Sequence, residues 1–193
     1  MRDVSALAIE IAAGDGVTLR GQLWHGSASW LILLHDVGEE KDLDRWRPLV
    51  PALPGRGWSV LAIDLRGHGA SDGDWQPDSF TDDLMAIAAF AGTHGATSIS
   101  LIAEGQSALM ALPCAGEIKP EALVLLSPVL DGTASTGSFR GAGEAKLFVC
   151  GGAHPEQRHT AERLRNASIG WAAIVNLPTT AQGTSLLGSE YAA

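Results

Sequence analysis

Six short, almost unbroken apolar runs punctuate this 193-residue chain, and they leave few folds open. They occupy residues 30–34, 59–65, 98–103, 123–126, 146–149 and 172–175. Each is too short for a helix and lacks polar alternation, as expected of strands buried on both faces. Between them lie helical patterns. Leu84, Ile87, Ala88 and Ala91 recur at helical spacing within 80–93, and an Ala/Leu-rich stretch covers 107–112. A charged helix is expected over 156–165, with Ala161 and Leu164 turned inward and Pro155 in its first turn, where a missing N–H costs nothing. Near the start, 7–11 and 17–24 flank a turn-rich link and read as a hairpin. The alternation predicts an α/β sheet with helices on its faces. No repeat or shift of composition divides the chain, so one domain over 1–193 is expected. Residues 131–143, rich in Gly, Ser and Thr, read as a flexible excursion.

Charge excludes some partners. Thirteen Lys and Arg stand against 22 Asp and Glu, a formal net charge of −9. An acidic surface repels phosphate backbones and anionic headgroups, so neither nucleic acid nor a membrane is expected as partner. The first five residues lack the apolar core of a secretory signal, and the expectation is a cytoplasmic protein. Cys114 and Cys150 have no metal or redox spacing and read as small buried side chains. No His, Cys or acidic set has the spacing of a metal site, and the glycines make no dinucleotide fingerprint, so no cofactor is expected.

Three segments sit where strands should end. His35-Asp36-Val37-Gly38 closes the first buried run. Asp64-Leu65-Arg66-Gly67-His68-Gly69-Ala70-Ser71-Asp72-Gly73 follows the second. Ala103-Glu104-Gly105-Gln106-Ser107 joins the third to a helix, the strand-turn-helix setting of a nucleophile elbow of pattern G-x-S-x-G. In this order the chain resembles the α/β-hydrolase superfamily over nearly its whole length. The resemblance implies about eight strands, mostly parallel with an antiparallel start, and a site beyond their carboxyl ends. Arg66 is expected to tie down its loop. Only about a dozen residues are available for an insertion, which implies a lid-less, open cleft.

The resemblance also assigns positions to a catalytic triad, and each assigned residue is unsuited to it. Gly105 stands at the nucleophile, His154 at the acid and Gln182 at the histidine. Glycine has no attacking atom, glutamine takes up no proton near neutral pH, and histidine cannot supply the orienting negative charge. An elbow residue adopts a strained backbone conformation that glycine tolerates, so a positive φ is expected at Gly105. By the same resemblance the oxyanion donors are the N–H groups of Val37 and Gln106, while the charge of Asp36 opposes an anion there. Ser107 reads as a packing residue rather than a displaced nucleophile, and His35, at a strand end, reads as a structural hydrogen-bonding histidine before it reads as a base. The expectation is therefore a protein without conventional hydrolase activity that binds a small molecule or a partner. The alternatives are a divergent esterase-like hydrolase or an acid/base enzyme using Glu104, His35 or His154, and an interaction module that docks through 131–143.

Overall fold

The computed structural model describes residues 5–38, 41–130, 139 and 141–188. Eight strands form: β1 (Leu7–Ala12), β2 (Thr18–Trp24), β3 (Ser29–Leu34), β4 (Ser59–Asp64), β5 (Ser98–Glu104), β6 (Ala122–Leu126), β7 (Ala145–Gly151) and β8 (Ala172–Leu177). Three α-helices join them: α1 (Phe80–Thr93), α2 (Gly105–Ile118) and α3 (Pro155–Ala167). The strands make one sheet in the order β1-β2-β4-β3-β5-β6-β7-β8. The hairpin β1–β2 is antiparallel and joins β4 antiparallel, and every pairing from β4 to β8 is parallel. This is the α/β-hydrolase fold that the sequence led us to expect.

Register brings the carboxyl ends together. Leu34 of β3 lies opposite both Ile63 of β4 and Ala103 of β5, and Glu104 lies opposite Leu126 of β6. The strand order reverses at β3, because β4 lies on one side of it and β5 on the other. A crevice opens at such a reversal, since the connections leave in opposite directions.

Strand β3 shows why the runs are unbroken. Its alternate residues Trp30, Ile32 and Leu34 enter one core, with Phe80, Leu84 and Ile87 of α1, Ala108 and Leu112 of α2, and Ala161 and Leu164 of α3. The intervening Leu31 and Leu33 enter a second core with Trp46, Val50, Val60, Ala62 and Ile102. The two faces are covered differently. All three α-helices contribute to the first core, whereas the second is covered by 3-10 turns at Leu43–Trp46, Val50–Ala52 and Pro54–Arg56. Pro48, Pro51 and Pro54 recur every third residue there. That spacing denies an α-helix its hydrogen bonds yet suits a three-residue repeat.

Two departures from expectation concern element ends. Helix α2 continues through Pro113 to Ile118 instead of stopping at Leu112. Pro113 faces solvent while Ala111, Leu112, Cys114 and Ala115 stay buried, so core contacts carry the helix past the missing N–H. Lys146 sits in an apolar strand yet is wholly buried. Its ammonium donates to the carbonyls of Ala142 (3.1 Å), Glu144 (3.0 Å) and Ile169 (2.6 Å) and pairs with the Glu144 carboxylate. The expected excursion at 131–143 falls outside the described residues at 131–138 and 140.

Candidate active site

The loop leaving β3 is fixed from below by two histidines. His35 is fully buried, its Nε2 accepting from the Leu65 N–H (2.9 Å) and its Nδ1 donating to the Asp36 carbonyl (2.6 Å). Burial pushes its pKa below the ordinary imidazole value, a shift the Asp36 carbonyl opposes. His68 Nε2 accepts from the Gly38 N–H at 3.2 Å, and its Nδ1 lies 2.9 Å from the Arg66 carbonyl. Arg66 in turn forks onto Asp83 of α1 (2.9 and 2.6 Å) and onto Asp15 of the hairpin turn (2.6 and 3.1 Å). Those hydrogen bonds hold the Asp15 carboxyl below its usual range and raise the arginine above its own. His35 therefore serves the loop, and its ring does not line the cleft above.

Above this base stands the elbow. Gly105 opens α2 directly after β5 with φ +57°, the expected positive value. Ser107 is buried and donates to the His35 carbonyl at 2.6 Å, which joins helix to loop and removes the hydroxyl from the cleft.

The decisive contact is made by Asp36. Its Oδ1 accepts from the Val37 N–H at 2.9 Å and from the Gln106 N–H at 2.8 Å. The two amides expected to serve an oxyanion thus converge on one acceptor, and that acceptor belongs to the chain itself. A Cβ placed on Gly105 would collide with the same carboxylate. Asp36 therefore fills both the donor pocket and the space that a nucleophile's side chain would need.

The remaining candidates are also engaged. Glu104, 3% exposed, accepts from Arg45 Nε at 3.0 Å and Nη2 at 2.5 Å, which raises the arginine's pKa. Its carboxylate packs so closely on Gly183 that a Cβ there would clash. At the ends of β7 and β8, the Gln182 side-chain amide lies 3.0 Å from His154 Nδ1, while His154 Nε2 reaches the Thr180 carbonyl at 2.8 Å. The positions assigned to acid and histidine are thus in contact, as an amide–imidazole pair. His154 does not reach the cleft, so Glu104, His35 and His154 do not meet there.

The cleft itself has a volume of about 510 Å³. Asp36, Gly105, Gln106 and Gln182 line it together with residues the sequence did not single out, among them Arg45, Lys41, Ser127 and Gln157. Ser127 has φ +48° and its hydroxyl accepts from the Gly183 N–H at 2.8 Å. Nothing in a lone serine after a strand signals that conformation. Gln157 is 4% exposed, and among the described residues its Oε1 has no donor. Among the described residues no group of three or more His, Cys, Asp or Glu could hold a metal ion. Both cysteines are buried, and burial pushes the Cys150 thiol up to about 11. No helix of the described residues is long and apolar enough to cross a membrane.

Comparisons agree with this architecture. Residues 27–173 match the family described as serine aminopeptidase, S33. Among solved structures, an esterase from Pyrococcus furiosus is similar at a TM-score of 0.75, with 20% identity over 95% of this chain and 85% of its own. A lid-less α/β serine hydrolase from Xanthomonas campestris gives 0.71, with 18% identity over 90% of this chain and 86% of its own. Est1E from Butyrivibrio proteoclasticus, solved with ferulic acid bound, gives 0.71, with 17% identity over 88% and 89%. At these identities the likeness is one of fold. No curated protein matches the sequence.

Proposed function

Because the chain belongs to the serine aminopeptidase S33 family of α/β hydrolases, we propose that it keeps the family scaffold and cleft as a binding site for a small molecule and does not carry out nucleophilic hydrolysis. The observation that carries this reading is the Asp36 carboxylate seated on both the Val37 and Gln106 amides. A tetrahedral oxyanion is stabilised by donors aimed at empty space, typically at a cost of about 10²–10³ in rate when one donor is lost. Here both donors already hold a negative charge, and a second anion beside it would be repelled. The glycine at 105 supplies no nucleophile, Gln182 takes up no proton at the histidine's position, and His154 supplies no orienting negative charge at the acid's. The reading includes a cytoplasmic protein that works without a cofactor, away from nucleic acid and membranes, in keeping with its net charge of −9.

Hydrolysis of p-nitrophenyl butyrate tests it. The chain and its Gly105→Ser variant are both expected to show no turnover above buffer, because the added hydroxyl meets a filled donor pocket. Turnover by the unaltered chain that falls at least tenfold in Glu104→Gln, with folding checked by circular dichroism, would establish the acid/base alternative and overturn the proposal.

A further inference from the structure

Asp36 leaves the cleft with an unusual balance of hydrogen-bonding groups. In a donor pocket the two amides would point at a ligand oxygen, but Oδ1 of Asp36 takes both. No donor among the described residues reaches Oδ2, so the carboxylate offers the cleft a charged acceptor. A second acceptor belongs to a residue that also lines the cleft. Gln157, in the first turn of α3, lines the cleft and is 4% exposed, and among the described residues no donor reaches its buried Oε1. An unpaired buried oxygen is destabilising, and a ligand N–H would satisfy it. Glu104 adds no net charge, because Arg45 forks onto it. Leu109, Leu130 and Phe139 supply an apolar lining. Two cations also line the cleft: Lys41, which would draw an anion, and Arg45, whose charge is engaged mainly by Glu104.

We infer that the cleft selects a small apolar-bodied amine, whose ammonium head is held by Asp36 and Gln157, and that it disfavours carboxylates of the same shape. The inference rests on the binding role proposed above and reverses the charge preference of a hydrolase donor pocket. An ammonium supplies three donors and no acceptor, which suits two acceptors that lack partners. Charge-assisted hydrogen bonds are roughly twice as strong as neutral ones, so Asp36 dominates the selection.

Titration of the ¹⁵N-labelled full chain with n-butylammonium and with n-butyrate, followed by NMR, tests it. Butylammonium is expected to move the Val37 and Gln106 backbone signals and the Gln157 side-chain amide, with a Kd of about a millimolar for so small a probe. Asp36→Asn keeps an acceptor for the two amides but presents an N–H₂ where Oδ2 stood. It is expected to weaken butylammonium about tenfold or more and to let butyrate bind, and Gln157→Leu is expected to weaken butylammonium alone. Equal or tighter binding of butyrate by the unaltered chain, or its loss on Lys41→Ala, would overturn the inference while leaving the binding role intact. So would the absence of shifts with either probe. Ester turnover, by contrast, bears on the proposed function and not on the amine.

Discussion

His35 needs to be neutral, and its surroundings show why. Nε2 must be bare to accept from the Leu65 N–H, while Nδ1 must carry its proton to reach the Asp36 carbonyl. Protonation of Nε2 would set two N–H groups against each other in a buried site. The folded pKa accordingly lies below the ordinary value of 6.5, and desolvation is the main cause. In the unfolded chain the ring gains its proton near that ordinary value, so the unfolded state binds more protons below it. Stability is therefore complete above about pH 6.5 and declines as pH falls toward the lowered folded value, by at most about 1.4 kcal/mol per unit from this residue. Urea midpoints measured between pH 7.5 and 5 should show that decline, and His35→Gln should flatten it at the expense of overall stability. The role of His35 as a loop support was legible from its place at a strand end. That Asp36 opposes an anion was legible too. Its seat on both amides was not, because that depends on one carboxylate folding back over its own backbone toward a helix seventy residues away.

At the scale of elements, α2 has one end that the sequence announces and one that it conceals. Its start follows from a glycine at the strand-to-helix turn. Its end does not, because Pro113 reads as a stop in any local pattern. The buried residues on either side, Leu112 and Cys114, outweigh that local cost. Replacement of this exposed proline by alanine restores one N–H and removes a clash. Pro113→Ala is thus expected to stabilise the chain by about 1–2 kcal/mol, after allowance for the more flexible unfolded chain. Chemical denaturation of the two proteins measures it, and a loss of stability would mean that the helix depends on a bend at this point. The 3-10 turns over 43–56 were hidden for a related reason: the apolar residues there follow a proline-imposed period of three, which neither helix nor strand templates detect.

Across the whole molecule, the sheet was the most legible level, since strands buried on both faces announce themselves by unbroken apolar runs. That same double burial links the two cores, because β3, β4, β5 and β6 feed both, whereas the edge strand β8, although its run 172–175 is as apolar, leaves Val175 exposed and adds nothing to the second core. Trp30 reports on the α-helical side and Trp46 on the side of the 3-10 turns. Fluorescence of the full chain, fluorescence of Trp46→Phe and far-ultraviolet circular dichroism should therefore share the shape of a single transition, each protein having one midpoint for both probes. A second fluorescence midpoint that circular dichroism does not share, weakened in Trp46→Phe, would show the 3-10 side, where Trp24 and Trp58 also pack, melting by itself. The fit between Asp36 and Gly105 has a consequence for anyone who would breed an esterase from this scaffold. A serine at 105 would have to push the carboxylate off its seat, and without the serine an emptied pocket has nothing to stabilise, so neither change alone is expected to give a selectable gain. Stepwise laboratory evolution should stall here, and a library would have to vary both positions in the same round before restoring a base at 182.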